Sequence, residues 1–577
     1  MNASRLAVAA RLAILALALG GFAWRALSTA AVYNHTFDEP TQIASGLELV
    51  QHHRFELHLD APPLAKVLMA APLHLAGVRM DRVPGRGNFA EATTFLYEKT
   101  PYWSALRSAR AMSTLVGMLL LLAIYAAAQQ RFGSAGASVA VVVASVSPGL
   151  VSAASIANSD ILGVVTLLLA LHAWRRLLER GGPRQAALFA LSVALSVLAK
   201  LSALPFLAFT LPVVALWILG RRVLDPVRHP LVWTRSHGRE LAVIAALVPL
   251  AIWAGYGFQL APPIGELQAG EMAARLRPRF PALADAVGGL AALEAPLGAF
   301  LRGMGAASKI AKAGHPAYLM GDYSLHGWPH YFLVTLALKV PIGILAAVAL
   351  ATILAVRSRR STEGREVLLQ LTIAAAILAS VARAGINAGH RHVIAVEAIF
   401  ALVAGGGAAL AWRESGLWHR ASAGLLAAAV TAGAVSSARA HPDALGYTNA
   451  FAGSRPDWWF VDSNLDWGQD LARLARWLEE HGIGEEVRLG YFGTALPARH
   501  GLRSRALEPG ERATGWIAAS VHLQRGLGGA GVGLLPTAEQ RKAYAWLLRL
   551  KEVARIGTSI RVYRVTPRDL AMLATSE

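Results

Sequence analysis

The chain reads as an α-helical polytopic membrane protein of about eleven transmembrane helices, followed by a small C-terminal α/β domain. Three observations predict this. Of the 577 residues, 55% are hydrophobic and only 16% charged, and the mean hydropathy is +0.43, a balance that soluble domains rarely reach. Apolar runs long enough to cross a hydrocarbon core of about 30 Å recur along residues 1–440. The arginines behind the net charge of +19 fall between those runs, which suits anchorage against anionic lipid headgroups and not a nucleic-acid surface. The chain has no cysteine, which excludes disulfides, zinc–thiolate sites and cysteine nucleophiles.

The expected spans lie near 6–24, 109–128, 137–154, 160–174, 186–199, 203–220, 240–258, 331–356, 366–381, 392–412 and 421–438. The fifth and sixth are short and separated by little more than Lys200-Leu-Ser, so they form two spans or one re-entrant hairpin. The first is an uncleaved helix or a signal peptide, since Arg5 precedes it and Ser28-Thr29-Ala30-Ala31 offers small residues after it. Orientation follows from the basic residues in short loops. One set of loops carries Arg131, Arg175, Arg176, Arg180, Arg184, Arg221, Arg222, Arg228, Arg235, Arg239, Arg357, Arg359, Arg360, Arg365, Arg413 and Arg420. The intervening short loops hold little beyond Lys200, Arg383 and Arg391. The arginine-rich side is therefore expected to be cytoplasmic, with the N-terminus inside and the C-terminal domain in the periplasm.

Two outer loops are long, 26–107 and 259–330, and after residue 440 the character changes. The tail, 441–577, is expected to be a separate soluble domain. Asp466-Trp-Gly-Gln469 resembles a capping box opening a helix through Glu480, and strand-like runs follow at 487–492, 515–521 and 560–565. The sequence has no internal repeat and no low-complexity tract.

Candidate chemistry starts at Asp38-Glu39, just beyond the first span. A hydroxyl nucleophile is weak, and a carboxylate near the membrane surface serves as its general base. Against this stands a helix N-cap with a solvated neighbour, since Pro40 favours a helix start. Next, Asp60 and Lys66 flank Pro62-Pro63, so a fixed turn holds opposite charges nearby. His52, His53 and His58 lie close to Asp60 in sequence; a divalent metal is compatible with such a set and nothing in the residues requires one. Ionisable groups then gather at the outer ends of spans: Asp160, Glu397, Lys200, Lys339 and the run His390-Arg391-His392. Snorkelling accounts for a lone Lys or Arg but not for acids and bases gathered on one side. A cationic run of this kind suits an anionic lipid phosphate that departs as a leaving group. Asp462–Asp470 fails as a calcium loop, because Gly468 falls one position late and the closing position is Arg473. Its acids read as turns and caps, so the tail is expected to frame a cleft or hold an acceptor and not to perform chemistry.

These residues resemble a known family, the bacterial relatives of protein O-mannosyltransferases and of the aminoarabinose lipid A transferase within the GT-C glycosyltransferases. The motifs that carry the resemblance are Phe37-Asp38-Glu39-Pro40, Asp60-Ala-Pro-Pro-Leu-Ala-Lys66, Asn158-Ser-Asp160, Met320-Gly-Asp-Tyr-Ser-Leu-His-Gly-Trp328 running into Leu338-Lys339-Val-Pro341, and Gly389-His-Arg-His392. The tail adds Gly446-Tyr-Thr-Asn449, Asp462-Ser-Asn-Leu-Asp-Trp-Gly-Gln-Asp470, Tyr491-Phe-Gly-Thr494 and Gly557-Thr-Ser-Ile560. The resemblance implies a GT-C fold and transfer of a sugar from a polyprenyl-phosphate donor to a glycan, lipid or protein acceptor at the periplasmic face of a bacterial inner membrane, among membrane lipids and without nucleic acid. It further implies Asp38 as catalytic base with Glu39 as its partner, Asp60 and Asp160 lining the site, and Arg391 at the carrier phosphate. Lys66, Lys200, Lys339, His390 and His392 complete the expected substrate-binding set. The chain departs from the pattern at Ala61, where eukaryotic mannosyltransferases have histidine and the aminoarabinose transferase has lysine, so acceptor identity does not carry over. The rival class is a lipid or sugar transporter with a periplasmic accessory domain, which would place its charges near the bilayer midplane between two repeats.

Orientation is directly measurable. Reporter fusions after Gly182 are expected to report the cytoplasm and fusions after Ala440 the periplasm; a cytoplasmic tail would contradict an outward-facing site.

Overall fold

A computed structural model describes residues 3–81, 87–228, 230–382, 385–413, 416–529 and 531–575; Arg383 lies outside them. Among the described residues, seven helices are long and apolar enough to cross a membrane, or eight if one sharply bent pair counts as a single span. Shorter apolar helices occupy Pro63–Leu75, Pro183–Ala199 and Ala395–Ala411. The difference from about eleven spans has local causes. The runs at 109–128 and 137–154 fall largely on two helices that follow one another in the stretch Tyr102–Val146 and are separated by a kink at Gly133, with φ 70° and ψ −170°. Glycine accepts that conformation without a Cβ clash. The stretch then ends at Val146, because Ser147 caps a separate helix, Pro148–Ser155, by accepting a hydrogen bond from the Leu150 N–H at 3.4 Å. The run at 331–356 is two helices, Tyr331–Lys339 and Ile342–Arg357, bent by 109° at Val340-Pro341, where proline lacks the N–H that would continue the first.

The chain divides into two compact units, one of Met1–Pro40, Tyr102–Ile161 and Ala313–Glu577, the other of Thr41–Pro101 and Leu162–Lys312. In the first, Ala395–Ala411 is a buried helix packed against Tyr102–Val146. Small residues allow the approach: a Cβ at Gly405 would lie 2.5 Å from the Gly136 carbonyl oxygen. The helices Ala3–Val32, Ile342–Arg357, Thr362–Val381 and Leu417–Arg439 surround this pair in the same unit. The second unit holds the helices Asp160–Arg180, Pro183–Ala199, Ala203–Leu219 and Pro230–Gly255, with shorter helices in the two long loops. Lys200-Leu-Ser forms the turn between Pro183–Ala199 and Ala203–Leu219.

Strands β1 (Ala317–Leu319) and β2 (Asp322–Ser324) form an antiparallel hairpin. The C-terminal sheet comprises β3 (Val487–Gly490), β4 (Ser504–Ala506), β5 (Gly515–Ser520), β6 (Ala554–Ile556) and β7 (Ile560–Val565), in the order β4-β3-β5-β7-β6. β3 runs parallel to β4 and β5, and β7 antiparallel to β5 and β6. Alternation along β5 serves two cores. Ala518 faces Leu471, Leu474 and Leu478 of the helix Leu471–Glu480, while Ile517 and Ala519 face Tyr544, Trp546 and Leu547. That helix begins at Leu471 and not at Asp466, so the expected capping box is absent: Asp470 occupies the cap without a side-chain capping bond. Residues 462–470 instead form the 3-10 turn Asp462–Asn464 and a loop leading into that helix, all within the first unit.

Candidate active site

The segment between Val32 and the helix Glu39–His52 is held by one buried ion pair. Glu39 Oε1 accepts from Arg110 Nε at 2.8 Å and from the Ala157 N–H at 2.7 Å; Oε2 accepts from Arg110 Nη2 at 2.7 Å and from the Thr36 N–H at 2.8 Å. Arg110 also donates to the carbonyls of Ala30 at 2.7 Å, Tyr33 at 2.8 Å and Asn34 at 2.9 Å. The planar fork of a guanidinium matches a carboxylate in this bidentate way. Burial pushes the Glu39 carboxyl up, but Arg110 and the two backbone donors override it and hold the group below the usual carboxylate range. Glu39 therefore has no lone pair left for a substrate proton. Expected as the partner of Asp38 in a catalytic pair, Glu39 is engaged by Arg110 and by the N–H groups of Thr36 and Ala157. Arg110 was hidden within an apolar run, where its charge was the available signal.

Asp38 faces the other way. Its Oδ2 lies 3.6 Å from Arg391 Nη1, and the two side chains are 23% and 22% exposed. Arg391 sits in the 3-10 turn His390–Val393, with its guanidinium 4.2 Å from the centre of the Trp467 ring and its Nε buried and without a hydrogen-bond partner among the described residues. A cleft is lined by Arg391, Asn158, Asp160, Lys339, His390 and Trp467, among others. Asp160 is buried at the first turn of Asp160–Arg180.

The remaining candidates of this unit are bound to protein. Lys339 Nζ donates to the carbonyls of Leu445 at 2.7 Å and Asn464 at 2.5 Å. His390 sets Nε2 2.5 Å from Glu397 Oε1, while its backbone N–H donates to Asn464 Oδ1 at 2.9 Å; Glu397 also accepts from the Ser147 hydroxyl. His392 packs edge-on to Phe332, with ring centres 6.4 Å apart. Of the basic run, Arg391 is the member whose charge meets Asp38. Lys339 and His390, both expected to bind substrate, line the cleft while Lys339 holds two backbone carbonyls and His390 a buried carboxylate.

The tail, expected to frame a cleft or hold an acceptor, meets the segment before Asp38. The Phe37 N–H donates to the Trp467 carbonyl at 3.0 Å and the Asn34 N–H to the Gln469 carbonyl at 3.2 Å, while Asn34 Nδ2 donates to the Gly468 carbonyl at 2.7 Å. The Phe37 ring stacks on Phe492 at 5.6 Å, and Phe492 on His522 at 3.7 Å. Asp466 is fully buried and accepts from the N–H groups of Gly468 at 3.1 Å and His522 at 3.2 Å. Burial pushes its carboxyl up to about 8, and pushes Asp470 up to about 6 against the pull of Arg473. These acids are structural, but the loop they brace forms part of the cleft wall.

In the second unit, Lys66 is fully buried and donates from Nζ to the carbonyls of His58 at 2.5 Å and Ala61 at 2.6 Å, 4.4 Å from the centre of the Phe55 ring. Burial pulls its pKa down to about 7 against the attraction of Asp60. It closes the turn at Pro62-Pro63 instead of offering a free ammonium. Asp60 is 37% exposed, with Oδ1 3.6 Å from His58 Nε2. Lys200 follows Pro183–Ala199, its N–H donating to the Ser196 carbonyl at 3.0 Å. His52 shares Nε2 with the Met80 carbonyl at 2.6 Å. Among the described residues, no three His, Asp or Glu side chains gather as a metal-binding group.

Residues 104–253 match the family described as dolichyl-phosphate-mannose-protein mannosyltransferase. This mannosyltransferase-like stretch, about a quarter of the chain, includes Arg110, Ala157, Asp160 and Lys200. No curated protein matches the chain. Among solved structures, ArnT from Cupriavidus metallidurans bound to undecaprenyl phosphate is similar over 99% of both chains, with 13% identity and a TM-score of 0.44. Archaeal oligosaccharyltransferase AglB from Archaeoglobus fulgidus, in complex with an inhibitory peptide and a dolichol-phosphate, is similar over 82% of this chain and 58% of its own, with 13% identity and a TM-score of 0.41. Identities this low carry no residue's role across.

The two acids are separable by stability. Glu39→Gln and Arg110→Met each break a buried pair, and each is expected to cost roughly 3–5 kcal/mol, read as a lowered thermal unfolding midpoint of the detergent-purified protein. An unchanged midpoint would return Glu39 to the solvent-facing acids.

Proposed function

We propose that the protein is a membrane glycosyltransferase that moves a sugar from a polyprenyl-phosphate carrier to a glycan, lipid or protein acceptor at the periplasmic face of a bacterial inner membrane. The observation that carries this reading is the pairing of Asp38 with Arg391 beside the cleft lined by Arg391, Asp160 and Trp467. The family match over residues 104–253 supports the reaction class.

Displacement at an anomeric carbon needs a base for the attacking hydroxyl and a cation for the departing phosphate. Asp38 supplies the first and Arg391 the second. The acceptor oxygen attacks the anomeric carbon, its proton passes to Asp38, and the carbon–oxygen bond to phosphate breaks with its electron pair retained by the phosphate. One displacement inverts the anomeric configuration. Glu39 and Arg110 act indirectly, by fixing the backbone on either side of Asp38. Asp160 lines the cleft; Asp60, Lys66 and Lys200 belong to the second unit and take no step in this reaction. The segment 1–440 is the transmembrane catalytic domain in this reading and 441–577 a periplasmic one, with the N-terminus cytoplasmic.

Asp38→Asn keeps the shape of the side chain and removes its basicity. The variant is expected to bind donor as the wild type does and to lose transfer by about 10²–10⁴-fold, the usual contribution of a positioned base. Near wild-type turnover would overturn the assignment and shift it to Asp60.

A further inference from the structure

We propose that Trp467 is a positioning residue of the donor site: its indole face carries Arg391, so that the guanidinium passes from Asp38 to the carrier phosphate when the donor enters. The inference rests on the function proposed above and extends it, because it makes the tail a component of the donor site and not an accessory to the acceptor.

Four observations converge on this residue. Trp467 lines the cleft although it is only 4% exposed, and the Arg391 guanidinium lies 4.2 Å from the centre of its ring. An aromatic face holds a guanidinium through the ring quadrupole while leaving its in-plane N–H donors at the rim, where phosphate oxygens bind. Second, the ring is anchored. The Trp467 N–H donates to Gln469 Oε1 at 2.8 Å, the Trp467 carbonyl accepts from the Phe37 N–H at 3.0 Å, and Gly468 turns the chain at φ +80°. The residue that carries Arg391 thus also pins the residue before Asp38.

Third, the two ion pairs of this region differ in kind. Arg110 and Glu39 meet at 2.7 Å with both side chains out of water, whereas Arg391 and Asp38 stand 3.6 Å apart and partly exposed. The first is a lock. The second is loose enough for a phosphate to displace, since direct charge-assisted hydrogen bonds run nearer 2.7–2.9 Å. Fourth, Arg391 Nε is buried without a partner, and an unmet buried donor is costly enough to mark a place where a ligand atom belongs. Donor binding therefore does two things at once: it gives Arg391 Nε an acceptor, and it draws the guanidinium from the Asp38 oxygen that receives the acceptor proton. The consequence is an ordered reaction, with donor before acceptor.

The test is a binding titration of the full-length protein in nanodiscs with undecaprenyl phosphate as probe. It compares the wild type with Trp467→Leu, Trp467→Phe, Arg391→Ala, Arg391→Lys and the Trp467→Leu/Arg391→Ala double variant. Trp467→Leu keeps an apolar side chain without a ring face and is expected to weaken binding by about tenfold, with Trp467→Phe recovering most of the loss. The double variant is expected to bind no more weakly than Arg391→Ala alone, because the two residues act as one unit. Arg391→Lys, which keeps the charge but not the planar fork, is expected to lose about as much as Trp467→Leu, and it keeps the test decisive should Trp467→Leu not fold. Wild-type binding by Trp467→Leu or by Arg391→Lys, or losses that multiply in the double variant, would overturn the role of Trp467. If Arg391→Ala also binds as the wild type does, or the wild type ignores the probe, the functional reading itself falls.

Discussion

The site depends on the buried pair between Arg110 and Glu39. Arg110 is fully buried in an apolar helix and spends its donors on Glu39 and on the carbonyls of Ala30, Tyr33 and Asn34. Glu39 spends its oxygens on Arg110, Thr36 and Ala157. A pair this deep gains little net stability once desolvation is counted, so its value lies in specifying one arrangement of the chain. Residues 30–39 cannot shift without stranding a charge. Asp38, next to the lock and facing away from it, inherits a fixed position that a surface loop would not give it.

Around that lock, the cations sort themselves by what they touch. Lys339 is consumed by the carbonyls of Leu445 and Asn464, and in the second unit Lys66 is consumed by those of His58 and Ala61. His390 is committed to Glu397. The two lysines supply donors to buried backbone oxygens, and His390 pairs with a buried carboxylate. Arg391 differs in having an aromatic face below it, a carboxylate at 3.6 Å and a buried N–H without an acceptor. In the proposed reading the phosphate therefore falls to Arg391.

This division explains what could be read from the sequence. Asp38-Glu39 and Arg391 stood out because acids and bases beside apolar runs are expensive, and the cost is visible residue by residue. Which of the two acids faces the cleft was not visible, since it depends on Arg110, 71 positions away. Trp467 escaped for a similar reason: Asp462–Asp470 is recognisable as a turn, but long-range bonds of Ser463 to Ala388, Asn464 to His390 and Trp467 to Phe37 bring it to Arg391. Helix positions followed the apolar runs closely, whereas helix ends and breaks did not. Gly133 separates two helices that are nearly continuous in sequence, and Pro341 splits a single run by 109°. Hydropathy averages over a window of about 20 residues and is blind to one dihedral angle. The three-residue strands β4 and β6 were too short to leave an alternating pattern and exist because β3 and β7 pair with them.

The central claim is that a carrier-linked phosphodiester is consumed at this site, and phosphorus NMR of the purified protein with an undecaprenyl-phosphate sugar tests it most directly. Cleavage between the anomeric carbon and the phosphate oxygen turns a phosphodiester into a phosphomonoester, two species with distinct resonances. The account predicts that the phosphomonoester signal grows with time when an acceptor hydroxyl is supplied, and that Arg391→Ala slows its growth. A phosphodiester that persists unchanged across a panel of carrier-linked sugars and acceptors would contradict it.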